Sequence, residues 1–128
     1  MHGFNAPPLE TDRDRTGVTQ KLSPRAVLER RIVWNLLAHM ARHGFLPVEV
    51  SDGEGGSVAL TALAVMEAVF DLDDAEIRFG TVTNTDAHLW VRFVAGNGID
   101  CLPDWMVPKA DLMGFDAAMT AFEVEDYA

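Results

Sequence analysis

Cysteine is almost missing from this chain, and so are long apolar runs. The one cysteine, Cys101, cannot form an internal disulfide, although small secreted domains usually depend on such links. The longest apolar stretches are interrupted by Glu67 or Arg92, well short of the roughly 20 residues that a membrane helix needs. The first eight residues have neither a positive leader nor an apolar signal core. We therefore expect a soluble cytoplasmic protein, without export or membrane insertion.

Basic residues are scarce and unevenly placed. The 128 residues include 10 Lys/Arg against 20 Asp/Glu, a net charge of −10. Residues 1–43 carry a net +3, whereas residues 44–128 carry a net −13. Nucleic-acid binding draws most of its non-specific strength from cationic groups, so direct binding of DNA or RNA is not expected. The acidic excess is explained either by solubility or by a partner of opposite charge.

The composition is that of a folded chain, because 48% of the residues are hydrophobic and 9% aromatic. Residues 1–22 are the exception, since they combine Pro7, Pro8 and alternating charges with no hydrophobic period. The sequence predicts a disordered N-terminal arm over residues 1–22. It predicts a single α+β domain over residues 23–128, with no internal repeat.

Helix signals are clearest between residues 23 and 44. Ser23 and Pro24 are typical of a helix start, and Gly44 is typical of the position just after a helix. The pattern predicts a helix to about Arg42. A second helix is predicted from Thr61 to about residue 70. Its inward positions are predicted to be Leu63, Met66, Val69 and Phe70.

Alternating patterns predict strands at residues 45–50, 76–82 and 89–94, and a further one at 99–102 after the turn signal at 96–98. Pro47 favours an edge position for the first of these strands. Spacings of three and four predict a last helix over residues 112–122. The predicted order is α-β-α-β-β-β-α, with an antiparallel sheet of three or four strands and helices on one face.

Acidic side chains following the second helix suggest a binding surface. These are Asp71, Asp73, Asp74 and Glu76. We expect such a surface to engage a protein partner with a basic surface, nucleic-acid-handling proteins among them. Self-association is an alternative, because the positive N-terminal segment is able to pair with the acidic face of a second copy.

The alternative function is that of a small hydrolase or metal-assisted enzyme, and it rests on histidines and carboxylates. His39 and His43 are four residues apart on the first helix, a spacing that lets two imidazoles share a metal. His88 with Asp100 or Asp104 is a second candidate for acid–base chemistry, next to Trp105. Simpler roles in the core or on the surface are favoured for all of them, so no cofactor, metal or catalytic residue is predicted.

Other chemical motifs are weak. Cys101 has no neighbouring cation in the sequence to activate it and is expected to be a buried structural residue. The acidic stretches at 52–54 and 71–74 lack the ligand spacing of a calcium loop. The glycine turns at 53–56 and 96–98 lack the lysine and the helix of a phosphate-binding loop.

A resemblance to a known family is carried by residues 89–98, by Asp100, by Asp104-Trp105 and by residues 114–119. These stretches resemble a family of small acidic uncharacterised proteins encoded on bacterial plasmids and prophages, and the likeness covers about residues 25–128. That family has no established activity, so the resemblance implies no site residues. It implies a setting, namely an accessory protein of a mobile element in a bacterial cytoplasm.

Overall fold

The computed structural model describes residues 11–13, 19–84, 88–106 and 114–127. These residues contain a five-stranded antiparallel sheet and three α-helices, which confirms the predicted α+β class. The sheet has one strand more than the largest number predicted.

The helices and strands follow one another closely along the chain. Their bounds are β1 Thr11–Arg13, β2 Thr19–Lys21, α1 Pro24–Arg42, β3 Leu46–Ser51, β4 Gly56–Val58, α2 Ala62–Val69, β5 Asp74–Gly80, β6 Leu89–Val94, β7 Asp104–Trp105 and α3 Phe115–Thr120. Two short 3₁₀ helices lie at Gly98–Asp100 and Val124–Tyr127. The strand order of the main sheet is β4-β3-β5-β6-β7, and every neighbouring pair is antiparallel.

Two segments of the predicted disordered arm are paired. Strands β1 and β2 form a separate two-stranded antiparallel sheet, with Asp12 opposite Gln20. Backbone hydrogen bonds make this ladder, and they do not require a hydrophobic period in the sequence. The absence of such a period is therefore not sufficient to predict disorder for these segments.

Helix α1 begins and ends where the sequence predicted. The Ser23 hydroxyl accepts a hydrogen bond from the Ala26 N–H at 3.2 Å and so caps the helix start. Gly44 adopts φ +86°, a conformation that glycine enters without steric cost. The buried stripe of α1 includes Ile32, Leu36 and Met40, whereas Leu28 is only half-buried.

Helix α2 is capped by Thr61 as predicted, but its inward face differs from the prediction. The buried residues are Ala62, Val65, Met66 and Val69, while Leu63 is 58% exposed. Spacings of three, four and seven from Ala62 define the buried stripe, and Leu63 falls outside it. The prediction that Leu63 faces the core was wrong.

Strand β3 is an inner strand, contrary to the edge position that Pro47 favoured. It lies between β4 and β5, and its pairing with β5 has an irregularity between Pro47 and Glu49. Strand β4 pairs only with residues Glu49 to Ser51 of β3, so Pro47 lies beyond the end of β4. The missing N–H of proline is accommodated because β3 is locally an edge there.

The predicted strand over residues 99–102 was also wrong. Gly98–Asp100 is a 3₁₀ helix, and the chain returns to the sheet only at β7, after Pro103. Gly96 and Gly98 have φ values of +89° and +61°, which turn the chain away from β6. The turn predicted at residues 96–98 is thereby confirmed, while the strand predicted after it is replaced.

The core lies on one face of the sheet. Alternate residues of β5 and β6, among them Ile77, Phe79, Val91 and Phe93, are buried, whereas their neighbours face the opposite side. The Phe115 ring of α3 packs edge-on against Phe45 at 5.4 Å and lies 6.1 Å from Phe79. Of the predicted last helix, residues 112 and 113 lie outside the described residues. The described helix begins at Phe115, after Gly114.

Candidate functional site

The predicted acidic surface lies where β5 begins, but two of its four members are paired with arginine. Asp74 accepts two hydrogen bonds from the Arg92 guanidinium, at 2.6 and 3.1 Å. Glu76 lies 3.3 Å from Arg78, which also contacts Glu49. The bond from Arg92 lowers the pKa of Asp74. Asp74 and Glu76 therefore belong to a network on the open face of the sheet in which two arginines pair with three carboxylates.

Asp71 and Asp73 differ from their two neighbours. Both are exposed, in the loop between α2 and β5, and neither has an ion pair with another residue that the structure describes. They keep the negative charge that the sequence analysis assigned to this surface. Of the four predicted residues, Asp71 and Asp73 are therefore the two whose charge no described residue offsets by an ion pair.

Two further carboxylates join them across the sheet. In the pairing of β3 with β5, Ser51 lies opposite Glu76, so the turn after β3 lies beside the start of β5. Asp52 and Asp71 line one shallow cleft of about 150 Å³, together with apolar residues of β3 and α2. Glu54 is exposed in the same turn as Asp52. We call Asp52, Glu54, Asp71 and Asp73 the acidic rim.

The turn that carries Asp52 is ordered by its own side chain. The Asp52 carboxylate accepts hydrogen bonds from the N–H groups of Glu54 and Gly55, both at 2.9 Å. These bonds, that of Glu54 first, lower the pKa of Asp52 and keep its carboxylate charged. Gly53 has φ +95°, which lets the turn close. The rim is thus partly fixed in geometry before any partner binds.

The sequence analysis did not assign Asp52 and Glu54 to the site. Along the chain they are separated from Asp71 by the whole of β4 and α2. Only the pairing of β3 with β5 brings the two loops together. The register of that pair was therefore the signal that could have found them.

The histidine pair on α1 is close, but one ring is already engaged. The rings of His39 and His43 are 4.6 Å apart between centroids. His39 is buried, and its Nε2 donates a hydrogen bond to the Ala118 carbonyl at 2.7 Å. Burial lowers the pKa of His39. The ring therefore acts as a structural link between α1 and α3, and it offers only Nδ1 to a metal.

The second enzymatic candidate is divided by the sheet. Asp104 lies opposite Arg92 and Trp105 lies opposite Val91, so these two neighbours point to opposite faces. His88 precedes β6, and Asp100 follows its far end. At about 3.3 Å per residue, roughly 20 Å separate the backbones of His88 and Val94. The structure brings Asp100 and Trp105 into one groove and leaves His88 and Asp104 outside it.

Cys101 is buried, as the sequence analysis expected. Burial, with the nearby Glu29 carboxylate, raises the pKa of its thiol to about 12. A thiol with that pKa is protonated at neutral pH and has little nucleophilic character. Its place in the core fits a structural role.

The described residues contain neither a metal-binding cluster nor a membrane-spanning helix. Over the described ranges, no group of three or more His, Cys, Asp or Glu side chains is placed to hold a metal ion. None of the described helices is long and apolar enough to cross a membrane. No protein-family model matches the chain, and no curated protein or solved structure is significantly similar to it.

Proposed function

We propose that this chain is a non-enzymatic binding protein, and that its acidic rim engages a basic surface on a protein partner. One observation carries the proposal. The four carboxylates of the rim lie on two loops that the pairing of β3 with β5 brings together, Asp52 and Asp71 line the cleft between these loops, and none of the four has an ion pair with another described residue. Adjacent carboxylates on the sheet, by contrast, are balanced by Arg78 and Arg92.

Electrostatics explains why such a rim suits the binding of a basic partner. Like charges held close together raise the local negative potential, which steers a basic partner and speeds association. Rim charges contribute more to the association rate and to specificity than to affinity. The rim is therefore suited to selecting a basic protein surface, while the neighbouring apolar residues of the cleft exclude water from the contact.

The cellular setting in the proposal rests on the sequence. The single cysteine favours the cytoplasm, and the resemblance to plasmid and prophage proteins favours a bacterial accessory role. Proteins that handle nucleic acid are partners of the right charge, since their phosphate-binding surfaces are basic. The net −13 of residues 44–128 is unfavourable for contact with nucleic acid itself.

Affinity capture from a bacterial lysate tests the proposal with three forms of the full chain. The wild type is compared with a rim variant, E54Q/D71N/D73N, which removes three charges and leaves the Asp52 turn intact. A matched variant, D104N/E123Q/D126N, removes three exposed charges outside the rim. We expect a basic protein that is retained at low salt, released at about 300 mM KCl, and lost only from the rim variant.

Two outcomes contradict the proposal. If both variants lose the same partner equally, net charge and not the rim decides binding. If the rim variant retains the partner with an unchanged salt dependence, the rim takes no part in the contact. Association and dissociation rates measured with the purified partner provide a further test. Loss of rim charge is expected to slow association more than it speeds dissociation.

A further inference from the structure

A second surface feature lies apart from the acidic rim and shares no residue with it. It is a groove of about 380 Å³ between the 3₁₀ helix at Gly98–Asp100, β7 and the end of α3. This volume falls in the range of sites for small organic molecules. Its walls are mostly apolar, with Ile99, Leu102, Met119 and Phe122 among the residues that line it.

One wall of the groove is an oriented indole ring. Trp105 is half-buried, and its Nε1–H donates a hydrogen bond to the Asp116 carboxylate at 2.9 Å. The backbone of Trp105 is fixed by its pairing with Val91 of β6. Because its backbone and its indole N–H are both bonded, the Trp105 side chain loses little conformational freedom when a ligand packs against it. The ring is therefore preorganised for binding.

The described part of the groove carries a negative charge. Asp100 is the one ionisable side chain among the described residues that line it, and it is exposed. A carboxylate beside apolar walls and an indole face is complementary to a cation with an apolar body.

We propose that this groove binds a small organic cation, with its ammonium group at Asp100 and its apolar body against Trp105 and the apolar walls. Anions are disfavoured by the Asp100 carboxylate, and neutral molecules lose the ionic contact with it. The site is independent of the proposed protein-binding function of the acidic rim.

Titration with three ligands of matched length tests this site on the intact protein. The probes are n-hexylammonium, hexan-1-ol and hexanoate, followed by ¹H–¹⁵N chemical shifts and tryptophan fluorescence. We expect hexylammonium to bind about fivefold more tightly than hexanol, with hexanoate weakest. The shift changes are expected to map to residues 98–105 and 119–124.

Three variants separate the groove from the general negative field of the protein. Asp100→Asn is expected to weaken hexylammonium about fivefold and to leave hexanol unchanged. Asp104→Asn removes a nearby charge from the opposite face and is expected to change neither. Thr120→Phe, at an exposed position that lines the groove, fills it and is expected to abolish binding of both.

The proposal is overturned by any of three results. The first is equal affinity for hexylammonium and hexanol, which makes the groove merely apolar. The second is equal weakening by the Asp100 and Asp104 variants, which makes the attraction a property of the whole surface. The third is an absence of shift changes at the groove for all three probes.

Discussion

Glu29 is a buried acidic residue that is held by backbone amides. It is only 5% exposed, yet its carboxylate has no arginine or lysine ion pair among the described residues. It accepts hydrogen bonds from the N–H groups of Gly96 and Gly98, at 3.1 and 2.6 Å. These two amides belong to the turn that directs the chain away from β6. Glu29 therefore fixes α1 to the turn that stands immediately before residues 99–102, the segment that sequence patterns wrongly predicted as a strand.

Removing the Glu29 carboxylate is expected to destabilise the protein through this turn. Glu29→Ala leaves both glycine amides without their acceptor and is expected to lower the free energy of unfolding by about 2 kcal/mol. Glu29→Gln keeps one acceptor oxygen and is expected to cost about 1 kcal/mol. Urea denaturation followed by circular dichroism measures both values.

Glu67→Gln provides the control for this prediction, since Glu67 is an exposed helical glutamate. Its effect is expected to stay within about 0.5 kcal/mol. Equal effects of Glu29→Gln and Glu67→Gln would mean that the bonds to Gly96 and Gly98 contribute nothing to stability.

At the scale of elements, α1 and α3 are joined by a hydrogen bond from a buried, titratable ring. The His39 ring donates to the Ala118 carbonyl, and it lies 5.3 Å from the Phe122 ring. Burial is the largest cause of the lowered pKa of His39, and the charges of His43 and Arg42 act in the same direction. The Ala118 carbonyl acts in the opposite direction and does not overcome burial.

The stability of the protein is therefore expected to fall in mild acid. The unfolded chain binds a proton at His39 near pH 6.5, whereas the folded chain binds it only at lower pH. The contribution of the neutral ring is complete above pH 6.5 and is lost as the pH falls from there towards the lowered pKa. Urea midpoints measured between about pH 7.5 and 5.5 should show this decline.

Two variants assign the decline to its source. His39→Gln keeps a donor for the Ala118 carbonyl but does not titrate, so its stability is expected to vary less with pH. His43→Gln retains His39 and should keep most of the decline. If the stability of His39→Gln declines by the same amount, the decline comes from other groups. Asp52 and Asp74 are not the source in this pH range, because their pKa values are lowered and they titrate only in stronger acid.

Elements whose signals are local were predicted well. Ser23, Pro24 and Gly44 fixed the ends of α1, since capping depends on residues within one turn of the helix end. Elements that depend on distant partners were not. Strand β4 consists of three exposed residues and carries no alternation, so only its pairing with β3 makes it a strand.

At the scale of the whole molecule, the net charge of −10 is only partly balanced within the fold. On the open face of the sheet, Arg78 and Arg92 offset most of the charge of Asp74, Glu76 and Glu49. The acidic rim stays uncompensated by the described residues. Repulsion within the rim destabilises the compact state, and this repulsion is screened by salt.

Added salt is therefore expected to stabilise the wild-type protein. Between about 20 and 200 mM NaCl the urea midpoint should rise, because salt screens the repulsion within the rim. Salt also weakens the exposed ion pairs, but each of these contributes little to stability. The variant E54Q/D71N/D73N should start from a higher midpoint and rise less. A midpoint that falls with salt, or equal slopes for both proteins, would show that repulsion in the rim is not significant.

The sequence by itself determined the α+β class, the limits of α1, the cap of α2, the turn at residues 96–98 and the burial of Cys101. Each follows from composition, from hydrophobic period or from contacts within a few residues, and none depends on how distant segments meet. Tertiary structure decided which charges remain uncompensated. Asp74 and Glu76 acquire arginine partners through the sheet, whereas Asp52 and Glu54 join Asp71 and Asp73 because β3 pairs with β5. Strand register sets these distances, and register is a property of the folded sheet.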